Sequence, residues 1–228
     1  MRKQIIHRDP SKVKTVGRCH LPGTSVFYAA NNLDTSLLEI GLNTKQPCAV
    51  SAIFRLKSGL QTNFLSIGEV DHCRRYGHAR LLTPGVREMI EEITKPLEHY
   101  DRLALEYMDA YLADFFGRVP NAVNQKNVYE VTARVAQSFI ALREVEGLVY
   151  PSVRHQGGIN FAIKPEVFEE KFEIEKFQLT TPVNSYGYGL ADYFEHASGS
   201  NLDERGNFMW RGDPRFRARS TWPLSADE

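Results

Sequence analysis

The sequence predicts an α+β domain, and three observations predict it. Strand-type runs gather toward the two ends of the chain, helical periodicity fills the stretch between them, and the two do not alternate as a doubly wound sheet requires. The 228 residues are 42% hydrophobic and 25% charged, which suits one packed domain and excludes a disordered chain.

The elements follow in order. Ser25–Ala30 is a β-type run after the turn signal Pro22-Gly23. Asp34-Thr35-Ser36 supplies helix N-cap candidates before Leu37, Leu38 and Ile40, and Gly41 is suited to end that short helix. Cys48–Leu56 reads as a buried strand. Thr83-Pro84 opens a helical region through Met89, Ile90 and Ile93, and Pro96 starts a second helix that ends at Gly117. Asn124 is placed to cap a third, in which Val128, Val131, Val135, Phe139, Leu142 and Val145 recur at helical spacing, with Gly147 as its stop. Leu148–Arg154 and Ile159–Ile163 read as a hairpin turning at His155-Gln156-Gly157-Gly158. Phe172–Leu179 reads as a further strand with a slip of register. From Ser185 the composition predicts an irregular tail, packed locally by Phe208, Trp210 and Trp222. The expected organisation is a single domain over 1–228, with a core at about 17–180 and a helical region at about 84–146.

Composition narrows the function. Lys plus Arg equals Asp plus Glu at 28 each, and a net charge of zero argues against a general nucleic-acid binder while leaving room for a local basic pocket. Cys19, Cys48 and Cys73 form no CxxC pair and read as free thiols of a reducing compartment. No apolar run follows the basic start and none approaches a membrane span, so the expected location is the cytoplasm, with no membrane partner. Neither a Walker loop nor a GxGxxG fingerprint is present. Asp71-His72-Cys73 with His78, and Cys19-His20, include metal-ligand types without a standard zinc spacing, so no metal site is expected.

Three segments taken together carry a resemblance. They are GRCHLPG (Gly17–Gly23) running into VFYAA (Val26–Ala30), then TSLLE (Thr35–Glu39), then GLVYPSVRHQGGINFAI (Gly147–Ile163). Their order and spacing resemble the RES domain, whose pattern is roughly Gly-Arg-x-Asn-x-x-Gly, a Leu-Tyr-x-Ala strand, Thr-Ala-x-x-Glu and Tyr-Pro-Ser. Arg18, Tyr28, Glu39 and Ser152 stand at the matching positions. The chain departs at His20, where Asn is usual, and at Ser36, where Ala is usual. It also carries a long helical stretch between Gly68 and Gln125, suited to cover a cleft or bind a partner.

The resemblance implies ADP-ribosyltransferase-like split sheets enclosing a cleft for NAD⁺. It implies an enzyme that degrades NAD⁺ by phosphorolysis or hydrolysis, often as the toxin of a toxin–antitoxin pair. NAD⁺ is then the substrate rather than a resident cofactor, with inorganic phosphate as a possible co-substrate. The expected partners are an antitoxin protein and a second copy of the chain. Two alternatives stay open: a non-catalytic RES-like protein that binds a nucleotide or a partner, and ADP-ribosyl transfer to a macromolecule.

Breaking the nicotinamide–ribose bond builds positive charge on the sugar, and a fixed carboxylate beside it stabilises that charge. Glu39 is the candidate, against the bland alternative of a solvated residue at a helix end. Arg18 is the candidate clamp on the pyrophosphate, since a guanidinium fork matches phosphate oxygens and stays charged. Tyr28 is a candidate to stack on nicotinamide or hydrogen-bond the substrate, with a plain core role as the alternative. With no GxSxG elbow, Ser152 is assigned a binding hydroxyl rather than a nucleophile. Arg154 shares a strand face with Ser152 at a period of two and is a candidate phosphate contact. His20 is a candidate ligand contact or structural donor, and His155 reads as a turn residue.

Overall fold

A computed structural model describes residues 6–42, 48–80, 85–119, 125–187, 190–212 and 215–217. In chain order it contains β1 (Phe27–Ala30), α1 (Leu33–Glu39), β2 (Ala49–Leu56), β3 (Phe64–Ser66), α2 (Glu69–Tyr76), α3 (Val86–Thr94), α4 (His99–Gly117) and α5 (Gln125–Ile140). There follow β4 (Gly147–Pro151), β5 (Ile159–Ile163), α6 (Pro165–Lys171), β6 (Phe172–Gly187), β7 (Leu190–Gly199) and β8 (Arg215–Arg217). The architecture is α+β, with the strands split between two four-stranded sheets of order β1-β5-β4-β3 and β2-β6-β7-β8. Among the described residues only the β3–β4 pair is parallel.

The first sheet is covered on both faces, and period-two alternation sorts its residues between them. Leu148 and Tyr150 of β4 and Ala162 of β5 face α4 and α5, where they share a core with Phe116 and Ala136. Phe27 and Ile163 face the other way, packing with Phe168 of α6 and Phe54 of β2. Phe27 and Phe168 stack at 3.6 Å between ring centroids, which closes the seam between this sheet and the second. A third cluster joins Leu37 of α1 to Ala191 and Tyr193 of β7, so α1 bridges the two sheets.

Several expected boundaries move. The first helix is capped by Asn32, whose side chain accepts from the Thr35 N–H at 2.8 Å, and not by Asp34, Thr35 or Ser36. Strand β4 stops at Pro151, so Ser152 and Arg154 lie in the turn and not on a strand. The hairpin itself forms, with Gly157 at φ 82° and the Ser152 N–H bonded to the Gly158 carbonyl at 2.8 Å. Helix α5 ends at Ile140, short of Val145, which is buried beside β4. Gly147 is the first residue of β4 rather than a helix stop. A Cβ there would lie 2.8 Å from the Ala162 carbonyl oxygen, so close strand packing explains the glycine.

Thr83, Pro84 and Asn124 lie outside the described residues, as does Trp222. The irregular tail anticipated from Ser185 begins later: the end of β6 and all of β7 run to Gly199, residues 200–212 are irregular with isolated bridges, and a short β8 follows. Cross-strand pairing with β6 overrides the Gly- and Asn-rich composition there, and three register shifts absorb the mismatch. Phe208 and Trp210 do pack locally, with centroids 4.3 and 5.0 Å from Phe177. Helix α2 and strand β3 carry no signal that the sequence reading registers. Asp109 of α4 caps α2 from outside, accepting from the Gly68 and Asp71 N–H groups at 2.8 Å each.

Candidate active site

A cleft of about 300 Å³ opens on the α5 side of the first sheet. Its floor is Tyr28, Ala29, Ala30, Tyr150 and Asn160 from β1, β4 and β5. Ser36, Glu39 and Ile40 of α1 and the adjoining residue form one wall, Tyr129 of α5 another, and Arg18, Val153 and Arg154 enter from loops. Arg18 and Glu39, 21 residues apart in sequence, thus face one cavity.

Helix α1 presents Glu39 because two local devices hold its ends. Asn32 fixes the start, and the Gly41 and Leu42 N–H groups close the end on the Leu38 and Leu37 carbonyls, both at 2.9 Å. Gly41 takes φ 72°, as this left-handed closure requires. Leu37 is then turned into the second sheet while Ser36, Glu39 and Ile40, at spacings of three and four, face the cleft.

The Glu39 carboxylate is gripped at one oxygen. Oε1 accepts from the Ser152 hydroxyl and from Asn160 Nδ2, both at 2.6 Å. No donor reaches Oε2 among the described residues, which leaves that oxygen for a ligand. Ser152 Oγ in turn accepts from the Arg154 and His155 N–H groups at 3.1 and 3.0 Å. A hydroxyl has one donor and two acceptor sites, so Ser152 is saturated by the protein and acts on the carboxylate. The turn is pinned to α1 by His155 Nδ1 and Thr35 Oγ1, 2.8 Å apart. A Cβ at Gly158 would lie 2.6 Å from Thr35 Oγ1, so the approach needs glycine.

Arg18 is buried, and two of its five N–H donors are already committed. Nη1 donates to the Phe116 carbonyl at 2.6 Å and Nη2 to the Arg118 carbonyl at 3.1 Å, capping the C-terminus of α4. The guanidinium also lies over the Tyr129 ring, 5.4 Å from its centroid. The positive charge remains at the cleft, but the free fork imagined for a pyrophosphate clamp is partly spent on α4. Arg154 is exposed at the cleft and makes no side-chain ion pair among the described residues.

Tyr28 divides its two ends. The residue is 41% exposed and lines the cleft, while its hydroxyl is bonded to Cys19 and His20. That oxygen accepts from the Cys19 N–H at 2.8 Å and meets His20 Nδ1 at 2.9 Å. Burial raises the Tyr28 phenol well above its ordinary value and lowers the His20 imidazole. His20 sits behind Tyr28 and is not on the cleft wall, so it serves the site by orienting that ring. Its own ring lies where a Cβ on Gly17 would fall, 2.2 Å from Cε1, which accounts for the glycine opening the motif. Cys19 is buried, and burial pushes its thiol up to about 12.

Three cleft residues escaped the sequence reading. Asn160 had a legible signal, as the one polar residue in an otherwise apolar strand. Tyr150 precedes Pro151-Ser152 but reads as core, and Tyr129 is one aromatic among many on a helix. Among the described residues no group of three or more His, Cys, Asp or Glu is arranged to hold a metal ion, and no helix is long and apolar enough to cross a membrane. Asp71 is paired with Arg74 and Arg75, each at 2.7 Å.

No curated protein and no solved structure matches the chain. Comparison with known families matches the RES domain over residues 6–181, a span that holds the whole cleft lining, including Arg18, Tyr28 and Glu39, together with Ser152, which braces Glu39 from behind the lining. The chain belongs to the RES domain family.

Proposed function

We propose that this protein breaks the bond between nicotinamide and ribose in NAD⁺ and passes the ADP-ribosyl group to inorganic phosphate or water. One observation carries the reading: a carboxylate fixed at one oxygen, Glu39, shares an aromatic-walled cleft with two guanidinium groups, Arg18 and Arg154. The ligand that fits has a cationic centre in its transition state, a diphosphate and flat rings. NAD⁺ has all three.

In the reaction the bond from the ribose C1 to the nicotinamide nitrogen breaks, and its electron pair leaves with neutral nicotinamide. The sugar becomes oxocarbenium-like, and the Glu39 charge stabilises it without having to reorganise. A phosphate or water oxygen then bonds to C1, and water acting as acceptor releases its proton to solvent. Tyr28 and Tyr129 offer ring faces to the nicotinamide or adenine, and Arg154 and the remaining donors of Arg18 offer charge to the diphosphate. Asn160 and Ser152 keep Oε1 occupied and so direct Oε2 toward the sugar.

The same reading includes a toxin role in the cytoplasm, silenced by an antitoxin protein. The test incubates purified protein with NAD⁺, with and without phosphate, and separates the products. Released nicotinamide with ADP-ribose or its phosphate ester supports the reading. NAD⁺ left intact under both conditions overturns it.

A further inference from the structure

The cleft is small for the whole of NAD⁺. Its volume is about 300 Å³. A closed cavity of about 150 Å³ takes one benzene ring, so this space encloses roughly 12–20 non-hydrogen atoms of a ligand. NAD⁺ has about 44 such atoms, and its nicotinamide riboside 5′-phosphate half has about 22.

The lining repeats that limit chemically. Its charged side chains are one carboxylate, Glu39, and two guanidinium groups, Arg18 and Arg154. Arg18 lies over the Tyr129 ring, 5.4 Å from the centroid, and covers one face of it. Tyr28, 41% exposed, is left as the open aromatic surface, enough for one flat ring. Reading adenine takes hydrogen-bond partners for its amino group and ring nitrogens. Tyrosines apart, the uncharged polar side chains of the lining are Ser36 and Asn160, and Asn160 Nδ2 is bound to Glu39 at 2.6 Å. Ala29, Ala30, Ile40 and Val153 make the apolar remainder.

From these observations we infer that the cleft holds only the nicotinamide riboside 5′-phosphate half of NAD⁺, with the adenosine half outside, and that the free mononucleotide NMN⁺ is a second substrate. The inference rests on the NAD⁺ reading and narrows it to one half of that molecule. Glu39 faces the ribose, Tyr28 the pyridinium ring, and Arg18 and Arg154 the phosphate attached to that ribose. A terminal phosphate carries close to two negative charges, which two guanidinium groups match. In NMN⁺ the same bond from C1 to the ring nitrogen breaks, and its electron pair leaves with neutral nicotinamide. A water or phosphate oxygen bonds to C1, water giving its proton to solvent, and the second product is ribose 5-phosphate or ribose 1,5-bisphosphate. A part of the substrate that the protein does not grip adds nothing in the transition state, so removing the adenosine half costs little.

The experiment measures nicotinamide release by the full chain from NAD⁺, NMN⁺ and nicotinamide riboside, with inorganic phosphate present. The kcat/KM for NMN⁺ is expected within about tenfold of that for NAD⁺. Nicotinamide riboside, which lacks the phosphate, is expected about 10²-fold or more below both. Arg154→Ala, at an exposed turn position, is expected to lower NAD⁺ and NMN⁺ cleavage by the same factor, about tenfold or more, because both present the same phosphate. NMN⁺ cleaved more than about tenfold less efficiently than NAD⁺ overturns the inference and leaves the NAD⁺ reading standing. Nicotinamide riboside cleaved as well as NMN⁺ overturns it equally, since the phosphate is then not gripped. An Arg154→Ala variant that loses NAD⁺ cleavage alone does the same, by placing that arginine on the distal phosphate. NAD⁺ and NMN⁺ both left intact overturn the NAD⁺ reading, and this inference with it.

Discussion

Glu39 is held by one oxygen, and that asymmetry governs what substitutions at the site should do. Glu39→Gln keeps an acceptor for Ser152 and Asn160 but removes the charge. Nicotinamide release is expected to fall by about 10²–10³-fold or more with melting behaviour retained, as measured by product chromatography and circular dichroism. Asn160→Asp puts a second carboxyl 2.6 Å from Oε1. Two carboxylates so close must share a proton, so the acidic limb of the pH–rate profile should move to higher pH by about one unit or more. An unmoved limb would separate Asn160 from the working carboxylate. Asn160 and Ser152 show two grades of legibility. Ser152 stands in a recognisable Tyr-Pro-Ser setting, yet its role as a brace for Glu39 required seeing its one donor and two acceptor sites all filled. Asn160 had only its odd polarity in an apolar strand to announce it.

Among the elements, α1 decides the site, because a slipped or frayed end would swing Glu39 out of the cleft. Gly41→Ala forces a Cβ into the left-handed region, which costs about 1–2 kcal/mol. For a chain of this size that is a fall of roughly 2–8 °C in Tm, read by calorimetry, accompanied by lower activity. A variant as stable as wild type would show that the closure on Leu37 and Leu38 carries no weight. The short helix, its Gly41 ending and the His155–Gly158 hairpin were all legible, because capping and turn chemistry act over four residues or fewer. The cap itself moved back to Asn32, since several polar residues in one cluster compete for the position and the tertiary setting of Thr35 against His155 selects among them. Helix α2 was not legible for the opposite reason. Its N-terminal N–H groups are satisfied by Asp109, 38 residues or more downstream.

The whole molecule carries a pH signature through two partly buried imidazoles. His20 and His72 both have their proton affinity lowered in the fold, chiefly by burial. The unfolded chain has ordinary histidines with values of about 6.5, so below that pH it binds protons that the fold does not. Stability is therefore full above about pH 6.5 and is lost progressively as pH falls from there through the lowered folded values. Denaturant titrations at pH 7.5 and 5.5 should show a smaller unfolding free energy at the lower pH. His20→Asn should flatten that dependence, and an equal slope in the variant would remove His20 as a contributor.

By itself the sequence determined the mixed α+β class, the family motifs and the local closures, because periodicity, turn chemistry and capping are written in neighbouring residues. Only the tertiary structure decided that the Gly-rich stretch after Ser185 pairs as strands and that Arg18 caps α4 while facing the cleft. It alone brought residues 18, 28, 39 and 160 around one cavity and set Ser152 against Glu39. The physical reason is range: these outcomes rest on hydrogen bonds and packing between residues 98, 113 and 121 positions apart, which no local pattern can record.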